Sequence, residues 1–90
     1  MLVLSRTPFE GKNQIYIGDD TFTVLSIDGD AIEIRIDCKF QVLIGYLYVG
    51  DPLIIGETEI KLLDIQNKQA RLGFDAPKNI KIMRAELRRG

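Results

Sequence analysis

The sequence predicts an all-β fold made of two intertwined copies of a small five-strand unit that share one core. Apolar residues alternate with polar ones over short runs, which are separated by turns rich in Gly and Asp. Residues 14–37 also align without a gap on residues 52–75, at an offset of 38 and with five identities in 24 positions. Because a slip of one residue would reverse the faces of a strand, the shared apolar register indicates an internal repeat.

The length of the chain fits one domain, a single-chain pseudo-dimer. Ninety residues suffice for one compact core, whereas either copy alone would bury too little apolar surface to be stable. We therefore expect one domain over residues 1–90. Residues 1–41 form copy 1, with a loop insertion near residues 7–13, and residues 42–90 form copy 2.

The sequence of copy 1 predicts four strands and one break in the alternation of apolar and polar residues. Val24 and Leu25 place two apolar residues side by side, which breaks the alternation and predicts a β-bulge or burial of both faces of the strand. The sequence Asp-Gly-Asp at 28–30 is typical of a hairpin turn. The predicted strands are Met1–Arg6, Ile15–Ile17, Thr21–Ile27 and Ala31–Asp37.

The second copy repeats these elements and adds a C-terminal segment. Leu62 and Leu63 form the matching apolar pair, and Pro77 interrupts the sheet because proline has no N–H to donate. A short C-terminal helix is expected over Ala85–Arg89, ended by Gly90. The predicted strands are Leu53–Ile55, Glu59–Ile65, Gln69–Asp75 and Asn79–Arg84.

The segment Lys39–Tyr48 between the copies fits two interpretations. At the offset of 38, Val42–Ile44 align with Ile80–Ile82, so the segment would be the last strand of copy 1. At an offset of 41, Met1–Arg6 align with Val42–Leu47, so it would be the first strand of copy 2. The sequence leaves both interpretations open.

Charge is unevenly distributed along the chain. Residues 1–45 hold four Lys or Arg and seven Asp or Glu, a net charge of −3, whereas residues 46–90 hold eight and six, a net charge of +2. Five basic residues and one acidic residue lie within 78–90. Such a local concentration of basic charge suits a polyanion, although a solubilising tail would look the same.

The composition argues against an enzyme and against a membrane protein. Histidine, the commonest general base and metal ligand, is absent, so we expect neither catalytic nor metal-binding residues, and no cofactor. No apolar run approaches the roughly 20 residues of a membrane span. The single cysteine, Cys38, and the lack of a secretory signal favour the cytoplasm.

Residues 42–87 contain the stretch Gln-Ala-Arg-Leu-Gly-Phe-Asp-Ala-Pro-Lys at 69–78, and with it they resemble the carbon storage regulator family of bacterial RNA-binding proteins. The most specific stretch is Gln69–Lys78, which is similar to the family's Gln-Val-Arg-Ile-Gly-Val-x-Ala-Pro-Lys. Val49–Asp51, Leu53–Glu57 and Ile80–Arg84 match further family segments, and Met1–Arg6 is similar to the family's first strand, Met-Leu-Ile-Leu-Thr-Arg.

The resemblance implies a sequence-specific regulator of translation. Family members are intertwined homodimers that swap their first and last strands and recognise GGA in RNA hairpin loops, in mRNA or in small regulatory RNA. Carried over residue by residue, it implies an RNA site formed by the first and last strands, which comprises Leu4, Ser5, Arg6, Ala76, Pro77, Lys78, Ile80, Ile82 and Arg84.

The reciprocal site departs from the family pattern. Gly45-Tyr46-Leu47 stand where Leu-Thr-Arg is expected, and Cys38-Lys39-Phe40 replace Ala-Pro-Lys. We therefore expect one functional RNA site per chain and a monomer that resembles a family dimer, with a protein antagonist as a further partner. The alternative is a protein-interaction module that has lost most of its RNA affinity and binds another regulator or a flagellar assembly partner.

Overall fold

The computed structural model describes residues 1–87, which fold into two antiparallel β-sheets. The prediction of an all-β fold is confirmed. One sheet has the strand order β1-β8-β7-β6 and the other has the order β5-β4-β3-β2-β9. The elements are β1 (Leu2–Arg6), β2 (Gln14–Ile17), β3 (Asp20–Asp28), β4 (Ala31–Cys38), β5 (Gln41–Tyr48), β6 (Pro52–Ile55), β7 (Thr58–Gln66), β8 (Gln69–Asp75), β9 (Ile82–Arg84) and a 3₁₀ turn at Ala85–Leu87.

The two sheets pack face to face over one apolar core. Phe22 of β3 and Phe74 of β8 meet edge to face across it, with ring centroids 6.5 Å apart and planes at 86°. Such a geometry is favoured by the ring quadrupoles. The alternating residues of β4 enter the core as predicted, and the buried cluster comprises Ile15, Ile17, Phe22, Val24, Ile32, Ile34, Ile36, Leu47, Ile55, Ile60, Leu62, Ala70, Leu72 and Phe74.

Strands β2–β4 and β6–β8 form two three-stranded units with the same register. Ile15 pairs with Phe22 in the first unit and Leu53 pairs with Ile60 in the second, which corresponds to an offset of 38 residues. The pairing also shifts at the same place in both units, so the bulges predicted at the Val24–Leu25 and Leu62–Leu63 pairs are confirmed. The division of the chain into two copies stays a prediction.

The chain termini exchange places between the two units. Strand β1 pairs with β8, and β9 pairs with β2, so each end of the chain completes the sheet of the more distant unit. Two five-strand units would give ten strands, whereas residues 1–87 form nine. Within this part of the chain, no strand pairs with the outer edge of β6, the position that corresponds to β9 beside β2.

The pairing register of β5 can be compared with the two interpretations of Lys39–Tyr48, at an offset of 38 or of 41 residues. Strand β5 pairs with β4 so that Leu43 lies opposite Ile36 and Leu47 lies opposite Ile32. Strand β1 pairs with β8 so that Leu2 lies opposite Phe74 and Arg6 lies opposite Ala70. Since residues 36 and 74 correspond at an offset of 38, residues 2 and 43 correspond at an offset of 41. The pairing register of β5 thus follows the offset of 41 rather than 38.

The last predicted strand is shorter than the sequence suggested. Asn79–Arg84 was expected to alternate throughout, but β9 covers only Ile82–Arg84. The reason is a turn, in which the Ile80 N–H donates to the Pro77 carbonyl oxygen at 3.0 Å and so cannot join a sheet. The C-terminal helix is a 3₁₀ turn over Ala85–Leu87, and its predicted continuation through Arg89 to Gly90 falls outside the described residues. In the part of the chain described here, no helix is long and apolar enough to span a membrane.

Candidate nucleic-acid interface

The candidate interface lies where the β1 edge of one sheet meets the β9 edge of the other. Arg6, the last residue of β1, forms a two-pronged ion pair with Glu86, in which Nη1 donates to Oε1 at 2.6 Å and Nη2 donates to Oε2 at 2.8 Å. The Arg6 Nε also donates to the Ser5 carbonyl oxygen at 2.7 Å. This bidentate geometry is the strong form of an ion pair, and it clamps the turn after β9 onto β1.

Arg6 is therefore a buried residue in this structure. The residue is only 4% exposed, and its Nη1 also donates to the carbonyl oxygen of Gln14 at 3.3 Å. The hydrogen bond from Arg6 lowers the pKa of Glu86 to about 2, although partial burial acts in the opposite direction. Arg6 thus holds the interface together, and the sequence prediction of a direct RNA contact at this position stays a prediction.

The loop after β8 forms a groove with the start of β1. The groove encloses about 300 Å³ and is lined by Leu2 of β1 and by five of the predicted site residues. Lys78 is the exposed cation of its lining, and Asp75 adds a negative charge at the end of β8. The five predicted residues brought together here are Ala76, Pro77, Lys78, Ile80 and Ile82.

The other four predicted residues lie outside the groove lining, and they are Leu4, Ser5, Arg6 and Arg84. Leu4, Ile80 and Ile82 are partly buried and pack against the core, as expected of wall residues. Ser5 is exposed on β1, opposite Arg71 of β8. Arg84 is exposed on β9, and no residue among 1–87 forms an ion pair or hydrogen bond with its side chain.

Lys81 joins this surface although the sequence analysis did not place it in the site. Lys81, Tyr16, Gly18 and Met83 line a second groove of about 280 Å³ on the same sheet. The Lys81 carbonyl oxygen accepts the Gly18 N–H at 2.8 Å, so the backbone of this segment is tied to the turn after β2. The basic stretch at 78–90 was the signal that could have identified Lys81.

Together these features make a mixed surface of cations, apolar walls and strand edges. Lys78, Lys81 and Arg84 are exposed within seven residues and can attract phosphate groups. The outer edges of β1 and β9 carry backbone groups that can hydrogen-bond the edges of unstacked bases. Among residues 1–87, no group of three or more Cys, Asp or Glu side chains is arranged to hold a metal ion.

At the opposite end of the molecule, the positions that correspond to the candidate interface have different residues and lack a strand. Leu47 of β5 occupies the register position that corresponds to Arg6 and is equally buried, at 4% exposure. Its neighbours Ile44 and Tyr46 are more than half exposed. Because no tenth strand lies beside β6 in the described chain, this end lacks the second wall of the candidate interface.

The fold and the interface define a small all-β protein in which both chain ends add a strand to the other unit and leave a cationic strand edge exposed. Comparison with known families finds one match. Residues 48–90 match the model of the CsrA family, described as a global regulator protein family. The resemblance to the carbon storage regulator family that was stated from the sequence is thereby confirmed over these residues.

Curated relatives match a stretch of similar length. The chain is 49% identical to the translational regulator CsrA of Caldicellulosiruptor bescii over 39 residues, which cover 42% of this chain and 50% of the relative. It is 51% identical to that of Hydrogenovibrio crunogenus over 41 residues, which cover 43% of this chain and 57% of the relative. The chain thus spans about half the length of the curated relatives it matches. No solved structure gives a significant match.

Proposed function

We propose that this protein is a post-transcriptional regulator that binds RNA and controls the translation of mRNA. The observation that carries the proposal is the coincidence of two findings at residues 76–84. This segment lies inside the match to a family whose curated members are named translational regulators, and it also forms the exposed cationic edge of the fold.

The finer proposal is that the RNA carries GGA in a hairpin loop and binds at one site per chain in the cytoplasm. Guanine presents two acceptors that an arginine fork can meet, and the Arg84 side chain forms no hydrogen bond or ion pair within the described residues. Unpaired loop bases also expose hydrogen-bonding edges that strand backbone can read. The single site is supported by the absence of a partner strand beside β6 in residues 1–87 and by Leu47 in place of a second Arg6.

The test is a fluorescence-anisotropy titration with a short GGA-loop hairpin and with the same hairpin carrying CCA in its loop. We expect tighter binding of the GGA hairpin, at one RNA per chain, and an affinity that falls steeply as salt increases because phosphate contacts release counterions. Equal binding of both hairpins would contradict the GGA specificity. No binding at low salt would contradict RNA binding and favour the protein-interaction alternative.

A further inference from the structure

Strand β5 is an unusually long and uncharged edge strand. It runs for eight residues along the outer edge of its sheet, and its pairing with β4 is continuous from Ala31 to Cys38 with no bulge. Residues 40–50 contain no charged residue and no proline. Exposed edges of this kind offer free backbone N–H and C=O groups to any strand that can reach them.

The remaining edge strands carry the features that usually block such pairing. In the described part of the chain, β1 has five residues, β6 has four residues and begins with Pro52, and β9 has three residues and ends in Arg84. Short length, proline and charge all hinder edge-to-edge association. The absence of all three from β5 therefore needs a reason, and a partner strand would supply one.

The outer face of β5 is also apolar. Val42, Ile44, Tyr46 and Tyr48 project from the same face, and between 50% and 64% of each residue is exposed. With about 150–250 Å² for each large aromatic side chain, the row leaves on the order of 400 Å² of apolar surface uncovered. A contiguous apolar patch of this size typically marks an interaction site.

We propose that β5 pairs antiparallel with β5 of a second copy of this chain, across a two-fold axis at Gly45. The two five-stranded sheets would then become one continuous sheet of ten strands. A two-fold contact must be self-complementary, and an uncharged row meets this condition because no like charges are brought together. A strongly charged partner would gain nothing from such a row.

The register of this pairing places favourable side chains opposite each other. With Gly45 on the axis, Ile44 lies opposite Tyr46 of the second copy and Val42 lies opposite Tyr48. Pairs of aromatic and β-branched residues are among the favourable cross-strand pairs. A Cβ at Gly45 would meet no atom within 4 Å, so this position leaves open space where two backbones approach.

The proposal concerns association between folded chains and is separate from RNA binding. The sequence predicted a monomer because one chain already contains both units of the family dimer, and each chain stays a complete folded unit here. The β5 edge and the β1–β9 interface lie at opposite ends of the strand order. Failure of the RNA titration would therefore leave the proposed dimer untouched, and the reverse also holds.

Sedimentation velocity over a range of protein concentrations tests the association. We expect a reversible monomer–dimer equilibrium for the natural chain and a dimer weakened about tenfold or more in Ile44→Lys, because the contact of Ile44 with Tyr46 would be lost and two like charges would come together across the two-fold axis. The matched control is Phe9→Lys, which changes an exposed apolar residue in the β1–β2 loop and should leave the equilibrium unchanged. Circular dichroism should show the same fold for all three proteins.

Cysteine cross-linking tests the strand and the register. In a Cys38→Ser background, Gly45→Cys should form an intermolecular disulfide on mild oxidation, whereas Lys12→Cys in the exposed loop should not. A chain that is monomeric at every concentration would overturn the proposal. So would a dimer that Ile44→Lys leaves intact, or one in which Gly45→Cys does not cross-link.

Discussion

At the scale of single residues, the two arginines of the interface have different roles. Arg6 is buried and donates its hydrogen bonds to Glu86 and to backbone carbonyl groups. Arg84 is exposed, interacts with Glu86 only through its charge, and forms no hydrogen bond or ion pair with the described residues. An arginine that binds RNA needs free donors, so Arg84 is the better candidate for a direct contact. Arg6 acts by holding the segment after β9 in place.

Arg84→Ala should therefore weaken the binding of a GGA hairpin by roughly tenfold or more, because a specific arginine contact contributes about 1–3 kcal/mol. The matched control is Arg35→Ala, which removes an exposed arginine from β4 that pairs with Asp37. Anisotropy titrations of both variants at one salt concentration make the measurement. Equal losses of affinity in the two variants would show that Arg84 contributes only general charge.

The Arg6–Glu86 pair should make stability depend on pH in the acid range. The pKa of Glu86 is lowered to about 2 in the folded chain, so the pair stabilises the fold above the unfolded value near 4.3. This contribution is lost as the pH falls from about 4.5 towards 2, where the carboxylate becomes protonated.

The measurement is the urea midpoint of the natural chain and of Glu86→Gln at several pH values. We expect a lower midpoint for the variant at pH 7 and a difference that shrinks below pH 4.5. A difference that stays constant down to pH 2 would rule out the ion pair as its source.

Residue composition alone could not have shown the Arg6–Glu86 pair, because its members are 80 positions apart. However, Arg6 shares the inward face of β1 with Leu2 and Leu4 by strand periodicity, and this was a signal of its burial.

At the scale of elements, turns and bulges follow local sequence closely. The doubled apolar residues at both bulges and the turn sequence at 28–30 identified these features correctly, because the governing interactions are within a few residues. The shortened β9 was missed because the turn at Pro77–Ile80 satisfies the Ile80 N–H, and nothing in the alternation of Ile80 and Ile82 reveals that bond.

The β7–β8 turn offers a test of local strain. Asn67 and Lys68 both have positive φ, at 52° and 62°, as a type I′ turn requires. Lysine in this conformation is strained by about 1–2 kcal/mol, which glycine avoids at some cost in chain entropy. Lys68→Gly should therefore stabilise the protein by about 0.5–1 kcal/mol in urea unfolding. Lys12→Gly, in a bend with ordinary φ, should give no such gain, and a destabilised Lys68→Gly would contradict the strain.

At the scale of the whole molecule, the two three-stranded units share one core. Phe22 and Phe74 come from different units and meet at its centre. The periodicity of the sequence predicted which strands have alternating apolar residues. It could not predict that β1 and β9 exchange between the units. That exchange was implied only by the resemblance to a family of swapped dimers, because pairing partners more than 60 residues apart leave no local pattern.

A shared core predicts that the chain unfolds in one step. Unfolding followed by circular dichroism and by tyrosine fluorescence should give the same midpoint, since neither unit keeps a core without the other. A double-mutant cycle of Phe22→Leu and Phe74→Leu should give a coupling of about 0.5–1.5 kcal/mol, because the two rings touch. Two separate transitions, or additive losses in the cycle, would contradict the shared core.

The pairing of β1 with β8 and of β9 with β2 determines how the stability of the fold responds to dilution of the protein. A fold assembled from two chains that exchange strands comes apart when the chains become scarce, because its stability depends on their concentration. Here both exchanged strands are tethered to the units they complete, and a tether of this kind acts as a permanently high local concentration. The folded state should therefore persist at a few copies per cell, where a two-chain version would dissociate before it met its target.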